Sequence, residues 1–394
     1  MKKLGIYIHI PFCKRKCHYC DFISFSGKQE LIEEYIYSLK KEIKNYKINK
    51  EDYLIETIYF GGGTPSYLES KYILDILQKL KQKFKISENV EITIEINPGT
   101  VDEQKLKDYY KAGINRISFG LQSTKSELLK LVGRIHSYSS FLDAYNSARK
   151  IGFKNINVDL MIGLPVQTLE DVQKDLEKII ELKPEHISVY SLILEEGTVI
   201  EQKINNKELY LPSEELERKM YWKVKEKLEK QGFIHYEISN FSKPQYKSKH
   251  NLSCWNQEEY IGFGLAAHSY IDNKRYSNTE DLEEYIVGVA LQGDPQTRTI
   301  HETQSKEDKM KEYMLLSLRK IDGVKISDFK NKFVDNPIYI YRESLNKLVT
   351  QELIEIDIDS IKLTNKGIDL ANIVWEEFVW NSSFFYCLNN NLYN

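Results

Sequence analysis

Tyr7-Ile8-His9-Ile10-Pro11-Phe12-Cys13-Lys14-Arg15-Lys16-Cys17-His18-Tyr19-Cys20 runs from a β-branched stretch into a loop that holds three of the chain's five cysteines at C-x3-C-x2-C spacing. Three thiolates this close can ligate three irons of a cuboidal 4Fe-4S cluster and leave the fourth iron without a cysteine. Zinc is the alternative. It needs a fourth ligand, and His18 adjoins Cys17 too closely to turn onto the same ion, so His9, Cys254 or Cys387 would have to fold back. A disulfide is disfavoured, because the chain begins Met-Lys-Lys-Leu-Gly with no apolar signal-peptide run, and a reducing, cytoplasmic setting is expected. Lys14, Arg15 and Lys16 place three positive charges between the first two cysteines, where they favour thiolates.

Outward from this loop, 394 residues, 41% hydrophobic and 29% charged, suffice for a large core divided into two or three domains. The net charge of -3 argues against a broad nucleic-acid-binding face, and no nucleic-acid partner is expected. No run approaches the roughly 18 apolar residues of a transmembrane helix.

Short β-branched runs alternate with amphipathic stretches from residue 5 to about 232. Strands are predicted at 5–10, 57–60, 90–96, 116–120, 155–160 and 186–191. Helical spacing follows the second strand at Ile73, Ile76, Leu77, Leu80 and Phe84, and the fifth at Leu169, Val172, Leu176 and Ile179, where Thr168 and Asp171 form a capping box. Six such units predict an α/β fold, an open (β/α)6 partial TIM barrel over residues 1–232, with its chemistry on the loops after the strand C-termini. All the conspicuous loops fall on that rim: the cysteines, Gly61-Gly62-Gly63-Thr64-Pro65, Asn97-Pro98-Gly99, Leu121-Gln122-Ser123 and Met161-Ile162-Gly163-Leu164-Pro165.

Residues 233–300 read as a connecting region that holds Lys249-His250-Asn251-Leu252-Ser253-Cys254-Trp255, and 292–309, with Gly293 and Pro295, as a polar linker. Residues 301–380 suggest a winged-helix-like α+β domain: a helix over 338–349, short strands at 353–356 and 361–363, then a helix carrying Leu370, Val374 and Phe378. Residues 306–379 hold 12 Lys and Arg against 14 Asp and Glu, which favours a docking or lid module over a DNA reader. The polar tail 381–394 is expected to fray.

Among single residues, Glu95 and Asp159 end strands three and five and suit ribose hydroxyls or an ammonium group, with Gln122 and Arg134 adding an amide and a fixed charge. The glycine run lets backbone N–H groups approach a carboxylate. His250, Cys254 and Trp255 combine an imidazole, a thiol and a large flat ring, a set that suits haem.

The stretch 7–13, GGGTPS at 61–66, GLQS at 120–123, GRIHS at 133–137 and DLMIGLP at 159–165 together resemble one family, the radical S-adenosylmethionine (SAM) group of oxygen-independent coproporphyrinogen III oxidases and their related haem chaperones. The resemblance runs from residue 4 to about 380. It implies a radical SAM partial barrel in which Cys13, Cys17 and Cys20 hold the 4Fe-4S cluster. It also places Tyr7, Gly62, Gly63, Thr64, Glu95, Gln122, Arg134 and Asp159 at the SAM contacts, with Tyr19 and Ile193 as further candidates. By the same resemblance the oxidases carry another cysteine two residues after the third, where this chain has Phe22. The chaperones carry H-N-x-x-Y-W, which this chain meets from His250 to Trp255 with Cys254 in place of tyrosine. Both features favour a haem chaperone, with His250 as a haem-binding residue, that passes haem to an unidentified acceptor protein. The alternatives are oxidase activity within porphyrin biosynthesis, which cleaves SAM reductively, requires an electron donor and abstracts hydrogen from a tetrapyrrole propionate, and an iron-sulfur scaffold without turnover.

Overall fold

The computed structural model describes residues 1–294 and 298–378. The tail 381–394, with Cys387, and Pro295 of the expected linker lie outside the described residues.

The six predicted strands are present, the sixth with the predicted bounds, the fifth shifted toward its C-terminal end and the others extended: β1 (Lys2–Ile10), β2 (Tyr53–Gly62), β3 (Ile86–Ile96), β4 (Arg116–Gln122), β5 (Ile156–Ile162) and β6 (His186–Ser191). They pair parallel, in chain order, from β1 to β6. Their crossovers include the helices Ile32–Asn45, Ser70–Lys83, Glu103–Ala112, Tyr138–Ile151 and Leu169–Glu181. The capping box expected at Thr168 and Asp171 is formed, and Ser137 with Ser140 makes a second. Because side chains alternate along a strand, Leu4, Ile6, Ile8 and Ile10 of β1 enter the apolar layer under the helices, while Tyr7 and His9 take the opposite face.

Residues read as a connecting region continue this same sheet. β7 (Ile234–Glu237) and β8 (Asn240–Ser242) pair antiparallel beyond β6. β9 (Tyr260–Phe263) pairs parallel with β1 and is followed by β10 (His268–Ile271), β11 (Lys274–Ser277) and β12 (Thr299–Thr303). The result is a mixed twelve-stranded sheet in the order β12-β11-β10-β9-β1-β2-β3-β4-β5-β6-β8-β7. The stretch read as a linker thus contains an edge strand, and a helix begins within it at Lys306 behind the capping box of Ser305 and Asp308. β12 is exposed at almost every position, so its sequence carries no apolar alternation to announce it.

One buried carboxylate ties this extension to the barrel. Glu42, on the helix Ile32–Asn45, accepts hydrogen bonds from Gly264 N (3.0 Å), Asn278 Nδ2 (2.9 Å) and Tyr285 Oη (2.6 Å), and pairs with Arg298 at 3.2 Å.

The C-terminal unit has its own core of Met310, Tyr313, Met314, Phe329, Phe333, Leu345, Leu348, Ile361, Val374 and Phe378. A three-stranded antiparallel sheet, β13 (Val324–Lys325), β14 (Ile354–Ile356) and β15 (Ser360–Leu363), lies against its helices in the order β13-β15-β14. The helix expected over 338–349 is divided at Tyr341 into Pro337–Ile340 and Arg342–Thr350. The last helix is likewise broken at Leu370, whose φ of -120° leaves the helical region. Docking onto the barrel uses the Arg319 guanidinium, 4.4 Å from the Trp255 ring and 5.2 Å from that of Trp375. Trp222 Nε1 also donates to Asp369 at 2.9 Å. Among the described residues no helix is long and apolar enough to cross a membrane.

Glu42→Ala leaves Arg298 and three donors without their buried acceptor. A stability loss of about 3–5 kcal/mol is expected, read as a lower urea midpoint at unchanged slope.

Candidate functional site

β1 ends at Ile10, and the chain then turns on Pro11 and Phe12, whose buried ring meets Tyr35 edge-on at 5.3 Å. The cysteine loop is closed by Cys13 N donating to Phe25 O (2.9 Å) and Phe25 N to Pro11 O (2.7 Å). Its middle is pinned to the segment after β4 by His18 N donating to Val132 O (3.0 Å) and by His18 Nδ1 on Leu131 O (2.9 Å). The glycine turn after β2 is fastened to it in turn, with Gly63 N donating to Ile10 O (2.8 Å) and Thr64 N to Phe12 O (3.0 Å).

Cys13, Cys17 and Cys20 all line one cavity of about 230 Å³ at the strand C-termini. Burial pushes the Cys13 thiol up and the Cys20 thiol up to about 12. Two donors already face the sulfurs: Thr64 Oγ1 donates to Cys13 Sγ and Arg134 Nη1 to Cys17 Sγ, each at 3.4 Å. The fourth zinc ligand considered above is not supplied by the nearby histidines. Both ring nitrogens of His9 are occupied, by Tyr7 Oη (3.1 Å) and Ile23 O (2.8 Å), and Cys254 sits on the separate helix Lys249–Trp255.

Gly62, Gly63, Thr64, Glu95, Gln122, Arg134, Asp159, Tyr19 and Ile193 line the same cavity. At Gly62, φ is +110° and a Cβ would stand 2.7 Å from the His9 ring, so the turn requires glycine. At Gly63 a Cβ would stand 3.0 Å from Cys13 Sγ, which leaves the backbone free to approach whatever the sulfur holds. Glu95 Oε1 accepts from Tyr59 Oη at 2.8 Å, and burial pushes this carboxyl up to about 7, helped by the nearby Asp159. Asp159, raised in the same direction by burial, accepts from Asn157 Nδ2 (2.6 Å) and Ser118 Oγ (3.2 Å). Gln122 sits at a register shift between β4 and β5 with φ of +70°, a conformation few non-glycine residues adopt, and Tyr190 Oη fixes its Oε1 at 2.7 Å. Arg134 Nη2 donates to Gly120 O, which fixes the guanidinium beside Cys17.

Tyr7 and His250 are not on this wall. Tyr7 stacks on Tyr59, with centroids 6.3 Å apart. His250, expected to bind haem, is buried, with Nδ1 2.8 Å from Thr57 Oγ1 and its ring stacked on Tyr59 at 5.0 Å. Burial holds its pKa down at about 4. The wall residues that the sequence reading did not single out include Tyr59, Arg116, Asn157, Tyr190 and Asn240. The available signal was strand alternation. Tyr59 and Asn157 each stand between two apolar strand neighbours, whereas Arg116 follows Asn115 and Tyr190 precedes Ser191, so the alternation is weaker there.

Two family models match the chain, the Radical SAM superfamily over residues 7–179 and the HemN C-terminal domain over 304–370. A protein of Lactococcus lactis named heme chaperone HemW is 38% identical over 378 residues, 96% of this chain and 98% of its own length. The chain belongs to the HemW family. A Bacillus subtilis protein of the same name is 38% identical over 95% of this chain and 98% of its own. The coproporphyrinogen III oxidase HemN of Escherichia coli superposes on this HemW-family chain with a TM-score of 0.82 at 24% identity, covering 96% of this chain and 90% of that one. The two share the radical SAM α/β fold.

Burial holds the Glu95 carboxyl at about 7, so if Glu95 meets SAM as the resemblance implies, SAM affinity should rise between pH 6 and 8 as the carboxylate ionises and becomes a full acceptor. Glu95→Gln should flatten that profile. Calorimetric titration of SAM across this pH range on the reconstituted protein checks both.

Proposed function

We propose that this chain binds haem, together with a 4Fe-4S cluster that SAM completes, and hands the haem to an acceptor protein. The observation that carries the reading is similarity over nearly the whole length to proteins named heme chaperone HemW, joined to three thiols on one cavity wall. When bound, the cluster supplies an iron without a cysteine ligand, the position at which the family resemblance places the amino and carboxylate groups of SAM. Cys13, Cys17 and Cys20 are the ligands in this proposal, and thiols lose their protons on binding iron.

The surrounding residues position and balance charge. Thr64 and Arg134 donate to the sulfurs and offset the charge of the thiolates. Gln122, held by Tyr190, and Asp159, held by Asn157 and Ser118, present fixed polar atoms to the adenosine side of the ligand, and Glu95 joins them above neutral pH. Phe22 lines the cavity where the resemblance gives the oxidases a further cysteine. That apolar ring favours the chaperone reading over coproporphyrinogen oxidation, which would require the electron donor. A cytoplasmic setting follows from the proposed need to keep these thiols reduced.

One anaerobically reconstituted preparation tests the reading through cluster absorption, haem titration and coproporphyrinogen turnover. Expected are a 4Fe-4S spectrum lost in Cys13→Ala, Cys17→Ala or Cys20→Ala, saturable haem binding, and no turnover. Turnover would transfer the assignment to the oxidase, and a cluster with neither haem binding nor turnover would leave a scaffold. His250→Ala separates two roles: a shifted Soret band reports ligation, whereas an unchanged band with a lower melting temperature reports packing, the outcome expected from its contacts with Thr57 and Tyr59.

A further inference from the structure

The cavity wall contains a buried cation that the described residues neutralise at a distance but do not pair with directly. Arg116, the first residue of β4, is 2% exposed, yet among the described residues its guanidinium makes no hydrogen bond and no ion pair, and its Nε is an unfilled buried donor. Arg116 is among the residues that line the cavity. A guanidinium is charged at any physiological pH, so burial cannot be relieved by loss of a proton.

The two wall carboxylates that feel its charge, Glu95 and Asp159, take their direct hydrogen bonds from other groups. Glu95 is engaged by Tyr59, and both Asp159 oxygens are taken by Asn157 and Ser118. Had Arg116 served only to neutralise these acids, direct pairing would be the expected geometry, since a planar fork and a carboxylate match bidentately. A second atom of the same wall is also unfilled. Asn240 commits its Nδ2 to Glu237, which fixes the orientation of the amide and leaves Oδ1 buried without a donor.

We infer that Arg116 anchors a subsite for a carboxylate on the wall of the cavity, with Asn240 Oδ1 receiving a bridging water or hydroxyl beside it. The inference rests on the functional reading above for its ligands, which bring carboxylates of two origins, the propionates of haem and the amino-acid carboxylate of SAM. Neither the cysteine motif nor the glycine turn includes Arg116.

The test compares, on anaerobically reconstituted protein, haem with haem dimethyl ester and SAM with decarboxylated SAM, in wild type, Arg116→Met and Arg116→Lys. In one pair the wild type should prefer the acid by about tenfold or more, and Arg116→Met should reduce that preference, to within about twofold for haem and by about tenfold for SAM, whose carboxylate also meets the iron in the proposed reading. Arg116→Lys, which keeps the charge and loses the fork, should fall between them. The pair that responds identifies the carboxylate. Preferences unchanged in a normally melting Arg116→Met would overturn the subsite. Should that variant not fold, Arg116→Lys decides, and undiminished preference there overturns the subsite equally. A wild type that binds neither haem nor its ester defeats the chaperone reading, and the SAM pair then decides the subsite alone.

Discussion

The pairing of β1 with β2 does not stop where the strands stop. Two further backbone hydrogen bonds, Gly63 N to Ile10 O and Thr64 N to Phe12 O, carry the ladder into the loops and hold the glycine turn against the cysteine loop. Everything at the rim depends on that fastening. It places Thr64 Oγ1 on Cys13 Sγ and requires a residue without a side chain at Gly62, where the His9 ring occupies the space. His9 is in turn fixed by Tyr7 and Ile23, so a motif that looks like a list of separate signals is one hydrogen-bonded unit. Backbone groups provide this precision because they have no rotamer freedom to lose.

Below the rim, the inner face of the parallel sheet is polar for much of its depth. His186 bridges Asn157 Oδ1 (2.6 Å) and Tyr236 Oη (2.7 Å), and Ser188 shares Asn157 with it at 3.2 Å. Buried polar groups are costly unless satisfied, and this network satisfies most of its members against one another. The apolar layer under the helices supplies the compensating burial, from Ile6 and Ile8 through Ile58, Ile94, Ile117 and Val158 to Ile187. The two faces of each strand therefore divide the labour: one holds the fold together and the other carries the chemistry.

Much of this was legible because the rim motifs are local. The cysteines, GGGTP and the capping box at Thr168 act within a few residues of themselves, and the periodicities of the six βα units survive in a single sequence. What could not be read depends on distant partners. β12 has no apolar alternation because it lies exposed at a sheet edge, and only its pairing with β11 makes it a strand. Arg116 reads as the polar start of a strand until the fold shows which wall it occupies. His250 illustrates the converse: an imidazole, a thiol and an indole close together suggest a ligand set, but Thr57 and Tyr59, nearly two hundred positions away, supply its actual contacts.

The position of β1 has a consequence for the order in which the chain matures. One neighbour of this strand, β2, follows it closely, but the other is β9, with Gly5 opposite Tyr260. During synthesis the cysteine-bearing strand is therefore an open edge until the ribosome has passed the last barrel unit and the region beyond it. For much of its own translation the protein carries its cysteine loop at the end of a half-paired strand. Acquisition of metal by a nascent chain and by a finished one are then different events, the first on a frayed loop and the second inside a walled cavity.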